Sequence, residues 1–437
     1  MITIIGAVLV LGILITVHEA GHFIAARLNG VVVEKFSLGF GPKIISFNKW
    51  DVDFRISLIP LGGYLKMKGE NPGEETDGIG SFGTKKWWQR AIIAFSGPFA
   101  NFLLALFIFI FSFLIGRNYE DFNPVVGKIN SEDLTELEVN DRILALNSNE
   151  ITTWTQLTRY TEPEENNKLL VERDDNLLEI LLPPLEPQVW LTEILPEAPA
   201  VIGEVTPGYS AYKAGLMTGD RILEVDGTEV DNWYEMRELI TGSPNETVEL
   251  KIQREDQIFN KIMKLEENVL DENRIIGIIQ HMPLNFRETY SITESIENGV
   301  ITTASFIILN YITLYKLILK PGAIKQNIGG PVMIFSMTQQ SAEKGIDTVL
   351  AFIAAISLIL MIMNLLPIPI LDGGHIFFCF IEGIFKKPLS LKVQTILQNI
   401  GFIILISLMI FAFFNDFSKI FTRSESINQQ KNILEGN

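Results

Sequence analysis

The sequence predicts a polytopic α-helical membrane protein with four spans, a membrane-dipping β segment, and a soluble insert made of two copies of a small α+β domain. Three observations carry that prediction. The apolar residues of the 437-residue chain are clumped into runs that approach the roughly 20 residues a helix needs to cross a bilayer. The net charge of −17 sits mostly in one block, since residues 117–290 hold 35 acidic and 15 basic residues and the rest of the chain sums to +3. Within that acidic block the sequence repeats itself.

The first span is residues 1–26. It has neither the basic start nor the small-residue cleavage site of a secretory signal and runs straight into charged residues, so it reads as retained. Residues 31–67 follow, where apolar and polar residues alternate around Gly39, Gly41, Gly62 and Gly63, the pattern of short strands with tight turns. Leu58, Ile59, Pro60 and Leu61 are too apolar for a wet loop. This segment is therefore expected to dip into the membrane, where its backbone polar groups need protein or a water-filled cavity around them.

The second span is residues 91–115, the third 349–371 and the fourth 395–414, with a tail at 415–437. The stretch 299–319 is apolar too, but Asn310 and Lys316 interrupt it, so 295–345 reads as an amphipathic, interfacial region. Arg27, Lys35, Lys43, Lys85, Lys86 and Arg90 fall between the first two spans, and Lys386, Lys387 and Lys392 between the last two. The positive-inside bias puts both loops in the cytoplasm and both termini and the insert on the opposite side. Cys379 is the single cysteine, which excludes an intrachain disulfide. The acidic insert also argues against nucleic acid, whose phosphates require a basic face.

At residue 125 the chain reads V-V-G-K-I-N and at 137 L-E-V-N-D-R-I-L-A-L; at 201 it reads V-I-G-E-V-T-P and at 215 G-L-M-T-G-D-R-I-L-E-V. The two copies, residues 120–195 and 196–283, resemble PDZ domains, modules that take an extended peptide along a sheet edge. In the second copy the resemblance places the peptide loop at Gly215, Leu216, Gly219 and Asp220, with Gly227 at a later turn. In the first, Leu137, Asn140 and Asn147 stand in for turn glycines, leaving peptide binding, packing and gating open as roles.

His18, Glu19, Ala20, Gly21 and His22 spell H-E-x-x-H at the end of the first span. Residues four apart on a helix return to one face about 6 Å along the axis, so two imidazoles can grip one zinc ion. Glu19 then lies beside them as a base for water that the metal has made acidic. Three ionisable groups at a membrane helix cost several kcal/mol unless paired or metal-bound, which favours function over surface decoration.

A catalytic zinc site takes three protein ligands and leaves one position open. Asp372 is the expected third donor, because it is an acid ending another apolar run, after Pro367 and Pro369 and before Gly373 and Gly374. Proline and glycine there predict an unwound stretch lining a polar cavity. His375 is the rival donor, and His281 reads as a surface residue.

H-E-x-x-H on a first span, N-x-x-P-x-x-x-L-D-G on a later one and PDZ-like copies between them resemble the bacterial RseP-type branch of the site-2 protease family. The likeness covers nearly the whole chain. It implies a zinc metalloendopeptidase of the bacterial inner membrane, with zinc on His18, His22 and Asp372 and Glu19 as the base. It further implies that Asn364 binds substrate, that Pro367 keeps the substrate path open, and that the strands carrying Leu58, Ile59, Gly62 and Gly63 receive the substrate. The run from Ser96 through Gly97, Pro98, Phe99 and Ala100 to Asn101, and Gly329, Gly330 and Pro331, also look like family features. The implied partners are single-span membrane proteins trimmed beforehand by another protease, with anti-sigma factors and remnant signal peptides as types. The competing reading is a membrane-anchored PDZ scaffold with a vestigial metal site; an intact Glu19 speaks against it, because a binding protein has no need of a base.

Overall fold

The apolar run that opens the chain folds as one helix, Ile2–Leu28, and Arg27 in its last turn suits the negative end of the helix dipole. The computed structural model describes residues 2–70, 78–131, 134, 136–268, 270, 272–320, 322, 324 and 329–435. It divides into two units, one of residues Met1–Arg117, Thr289–Leu319 and Ile328–Asp416, the other of Asn118–Glu288, Lys320–Asn327 and Phe417–Asn437.

In the first unit, helix Ile2–Leu28 crosses helix Trp87–Leu114 at very short range. A side-chain carbon on Gly21 would lie 2.3 Å from the Ser96 carbonyl oxygen and 2.8 Å from the Ala100 methyl, so only glycine fits. Lipid is as apolar as leucine, and close approach of small residues is what holds such helices together. Helix Trp87–Leu114 also packs, through Ala105, Ile108 and Phe109, on Ala354, Leu358, Met361 and Ile362 of helix Ile346–Asn364. Ser357 on that helix donates its hydroxyl to the Asn101 backbone carbonyl at 2.8 Å.

Residues 31–67 form longer strands than the sequence predicts. Val33–Lys49 and Val52–Met67 make a hairpin whose turn residues, Trp50 and Asp51, both have left-handed backbones, φ 54° and 61°. A two-residue turn of that hand matches strand twist. The strands then fold over: Phe36 pairs with both Leu65 and Phe54, and Ser37 with both Tyr64 and Arg55. Residues 35–38 thus become the centre of a small curled sheet. The bend comes at Gly39 (φ 87°), where a side-chain carbon would lie 2.7 Å from the Ile59 carbonyl oxygen.

Three boundaries differ from the sequence reading. Helix Ile346–Asn364 stops at Asn364 instead of running to 371, because Pro367 and Pro369 cannot continue it, and Asp372 opens the next helix, Asp372–Phe385. Residues 415–437, read as a tail, belong as far as 435 to helix Leu391–Glu435. Residues 292–319 form one continuous helix with Phe306, Ile307 and Leu314 against the apolar cluster of the first unit. Among the described residues five helices are long and apolar enough to cross a membrane, and this is one of them.

The second unit contains the duplication. Its two four-stranded antiparallel sheets have the same strand order, with Arg142–Leu146 and Asn167–Arg173 central in one and Arg221–Val225 and Thr247–Arg254 central in the other. Ile143, Leu146, Ile222 and Leu250 are fully buried, each contributing about 1.5–3 kcal/mol over exposure to water. Each copy also buries one aspartate against one arginine. Arg173 Nε lies 2.6 Å from Asp141 Oδ1, and Arg254 Nε lies 2.6 Å from Asp220 Oδ1, with neither aspartate exposed. Asn140 (φ 74°) takes the left-handed turn that Gly219 (φ 89°) takes in the other copy. Asparagine tolerates that conformation, so the lost glycine does not disturb the fold. Leu137, read as replacing a turn glycine, instead stands where Leu216 stands, and both are core residues.

Candidate metal centre

The site is assembled from two helices that the sequence separates by some 350 positions. His18 and His22, one turn apart near the end of helix Ile2–Leu28, point their Nε2 atoms at one another at 3.2 Å. Asp372, in the first turn of helix Asp372–Phe385, brings Oδ2 to 3.1 Å from His18 Nε2 and Oδ1 to 3.4 Å from His22 Nε2. Donors held on a tetrahedron around zinc at about 2.0–2.1 Å lie roughly 3.3 Å apart, and the two imidazole nitrogens and the two oxygens of this one carboxylate approach one another at comparable range. These donor atoms form a cluster within 4.8 Å of one another.

What holds them there is backbone. His22 Nδ1 lies 2.7 Å from the Ile93 carbonyl oxygen and donates to it, which leaves Nε2 as the lone-pair nitrogen facing the cluster. The imidazole occupies the space that a side chain at Gly97 would need, 2.2 Å from His22 Nε2. Gly21 and Gly97 therefore interlock the two helices and seat the ring. At the other end, side-chain carbons on Gly373 and Gly374 would lie 2.4 Å from the Leu365 and 2.3 Å from the Ile368 carbonyl oxygens. The chain after the proline break can turn back onto itself only through glycine, and this aims Asp372 at the histidines.

A pocket of about 230 Å³ opens beside the cluster, lined by Glu19, Gly63, Tyr64 and His375 together with the three donors. Glu19 faces the backbone of Leu65, and a side-chain carbon on Gly63 would lie 3.3 Å from Glu19 Cγ. The sheet is thus laid against the carboxylate next to the donors. His375 shares the pocket but stands outside the three-donor cluster.

The remaining expected residues are dispersed. Asn364 ends its helix half-buried, Pro367 is exposed in the break after it, and neither lines the 230 Å³ pocket. Leu58 and Ile59 are exposed on the sheet, and Gly62 lies against the Phe40 ring. His281 is an exposed residue of the insert. Of the residues expected at a peptide loop, the Gly215 carbonyl accepts from Arg254, Leu216 is core, and Asp220 is the partner of Arg254. A cavity of about 390 Å³ lies between helix Trp233–Gly242 and strand Ile278–Gln280, with Met236, Arg237 and Ile240 facing Gly277 and Ile278. The motif G-L-x-x-G-D marked a conspicuous turn; the cavity is lined instead by the quieter I-I-G-I-I at residues 275–279, whose Gly277 has φ 82°.

The chain matches the sequence model of peptidase family M50 over residues 6–408. It is 33% identical to the regulator of sigma-E protease RseP of Escherichia coli K12, over 94% of this chain and 98% of that protein. It is 31% identical to a putative zinc metalloprotease of Vibrio cholerae, over 95% and 98%. A solved PDZ domain of an SdrC-like protein from Listeria innocua is 26% identical over 19% of this chain and 93% of that one, with a TM-score of 0.18. With the family matched along most of its length and relatives this similar along nearly all of theirs, the chain belongs to peptidase family M50 and is a protease.

Proposed function

We propose that this protease cuts single-span membrane proteins within their transmembrane segments, holding one zinc ion on His18, His22 and Asp372 and using Glu19 as its general base. The observation that carries the reading is the convergence of the two imidazole nitrogens, 3.2 Å apart, on the Asp372 carboxylate, whose oxygens lie 3.1 Å from one and 3.4 Å from the other, with Glu19 in the same pocket. The donor set, two imidazoles and one carboxylate, is of the catalytic type that leaves a position open. Bound there, zinc supplies Lewis acidity, which brings the pKa of water down to about 7.

The chain's own groups do the rest. Glu19 accepts the proton of the attacking water and delivers it to the leaving amine, a role worth about 10²–10⁴-fold. A substrate helix must first unwind, and its freed backbone groups then need partners. The sheet beside Glu19 supplies them, taking the substrate as an added strand along the exposed residues around Leu58 and Ile59. Asn364 offers an amide donor for a substrate carbonyl, and the break at Pro367 leaves a path for water. The insert admits substrates whose outer domain has already been removed, with the groove beside helix Trp233–Gly242 receiving a peptide end. The chain is a multi-pass membrane protein, with the insert and both termini on the periplasmic side and the metal site toward the cytoplasm.

Purified variants test this directly. Glu19→Gln should keep its zinc and lose cleavage of a single-span model substrate by at least about 100-fold, whereas His18→Ala and Asp372→Ala should lose both. Active Glu19→Gln enzyme would remove Glu19 as the base, and equal cutting of full-length and trimmed substrates would remove the gate.

A further inference from the structure

Asn101 lies in the middle of helix Trp87–Leu114, fully buried among apolar residues, with its side-chain amide beside the metal cluster. Its Nδ2 is 3.4 Å from His18 Nδ1, and its Oδ1 is buried with no hydrogen-bond partner. That orientation sets two donors against each other. If His18 Nε2 offers its lone pair to a metal, Nδ1 carries the ring proton, so it needs an acceptor and faces an NH₂ group. Carboxamide oxygen and nitrogen are assigned from the network around them. Turning the amide over places the orphan oxygen on His18 Nδ1 and the nitrogen where the oxygen was.

From this geometry we infer that Asn101 is the positioning residue of His18: its Oδ1 accepts the Nδ1 proton and so fixes the ring's tautomer and direction. The inference rests on the metal-site reading above and deepens it. It completes a symmetry in the site, because His22 Nδ1 has the Ile93 carbonyl for the same purpose. Both acceptors belong to one helix, and both face histidines of another. A polar side chain in hydrocarbon is expensive unless it serves a partner, and here the partner is a ligand. Asn101 is itself held: its backbone carbonyl accepts the Ser357 hydroxyl at 2.8 Å, tying the acceptor to helix Ile346–Asn364. Partners of this kind typically contribute about 10–100-fold in metal affinity.

The test is zinc affinity of the full-length protein in detergent, measured by competition with a chromogenic chelator, with cobalt substituted for zinc as a spectroscopic check. Asn101→Leu, of similar size and without an acceptor, should weaken zinc binding about 10–100-fold and change the visible spectrum of the cobalt form. Asn101→Asp, which keeps an acceptor, should bind within a few-fold of the parent. Ser357→Ala, which removes a bond to the backbone of Asn101 but not its amide, should leave affinity and spectrum in place. If Asn101→Leu does not fold, Asn101→Ser serves instead, since its hydroxyl is too short to reach the ring. Parent-like affinity in Asn101→Leu or Asn101→Ser would overturn the inference while leaving the metal site standing, as would an Asn101→Asp variant as weak as Asn101→Leu. A parent protein that binds no zinc would instead sink the metal-site reading itself.

Discussion

At the scale of single residues the site depends as much on atoms that are missing as on those that are present. Gly97 is the clearest case: a methyl there would lie 2.2 Å from His22 Nε2, so the ring or the helix would have to shift. Gly97→Ala should therefore keep every ligand and Glu19 in the chain but displace the His22 ring, and lower cleavage about 100-fold, since a misplacement of about 1 Å costs that much. Cleavage assays alongside zinc content would check it, and a fully active Gly97→Ala protein would show that the ring seat is loose. The chemistry-bearing residues were legible from type and spacing, because H-E-x-x-H and an acid beside a proline break are local patterns. Their supports were not. Ile93 contributes only a carbonyl, Gly97 only a vacancy, and Asn101 announces itself solely as a polar group in an apolar run.

At the scale of elements the same rule separates what the sequence discloses from what it conceals. Apolar runs disclose helices but not their ends: the third run continues apolar to Leu371, and only Pro367 and Pro369 show that the helix has stopped. Alternation in residues 31–67 discloses strands, but their double pairing depends on the bend at Gly39 and the left-handed turn at Trp50 and Asp51. In the insert, G-L-x-x-G-D was legible as a turn and illegible as an ion pair, because Arg254 lies 34 positions away from Asp220. That pair predicts a stability effect. Asp220→Ala leaves a partly buried guanidinium without its partner, which costs about 1–3 kcal/mol, and should lower the insert's melting transition in the full-length protein by roughly 5 °C. An unshifted transition accompanied by lost peptide binding would return Asp220 to the peptide loop.

At the scale of the whole molecule, the meeting of His18 and His22 with Asp372 constrains the route of the chain. Helix Ile2–Leu28 ends six residues after His22, and helix Ile346–Asn364 ends eight residues before Asp372, so both helices finish on the same side of the membrane. If the first begins outside, helix Trp87–Leu114 returns outside, the insert stays there, and helix Ile346–Asn364 must also begin outside. Everything between residues 289 and 345 therefore crosses an even number of times. Helix Ile292–Leu319 is long and apolar enough to cross, but among the described residues its only companion is helix Pro331–Lys344, whose 14 residues fall short of the roughly 20 required. The expected even number is then zero, which would make four crossings although five of the described helices are long and apolar enough to cross. In a Cys379→Ser background, Lys320→Cys should react with a membrane-impermeant maleimide from the same side as Glu165→Cys, whereas Lys387→Cys should react only once the membrane is breached. Labelling of Lys320→Cys together with Lys387→Cys would mean that helix Ile292–Leu319 crosses. The carboxylate of Asp372 could then reach the histidines only if some shorter segment carried the chain back.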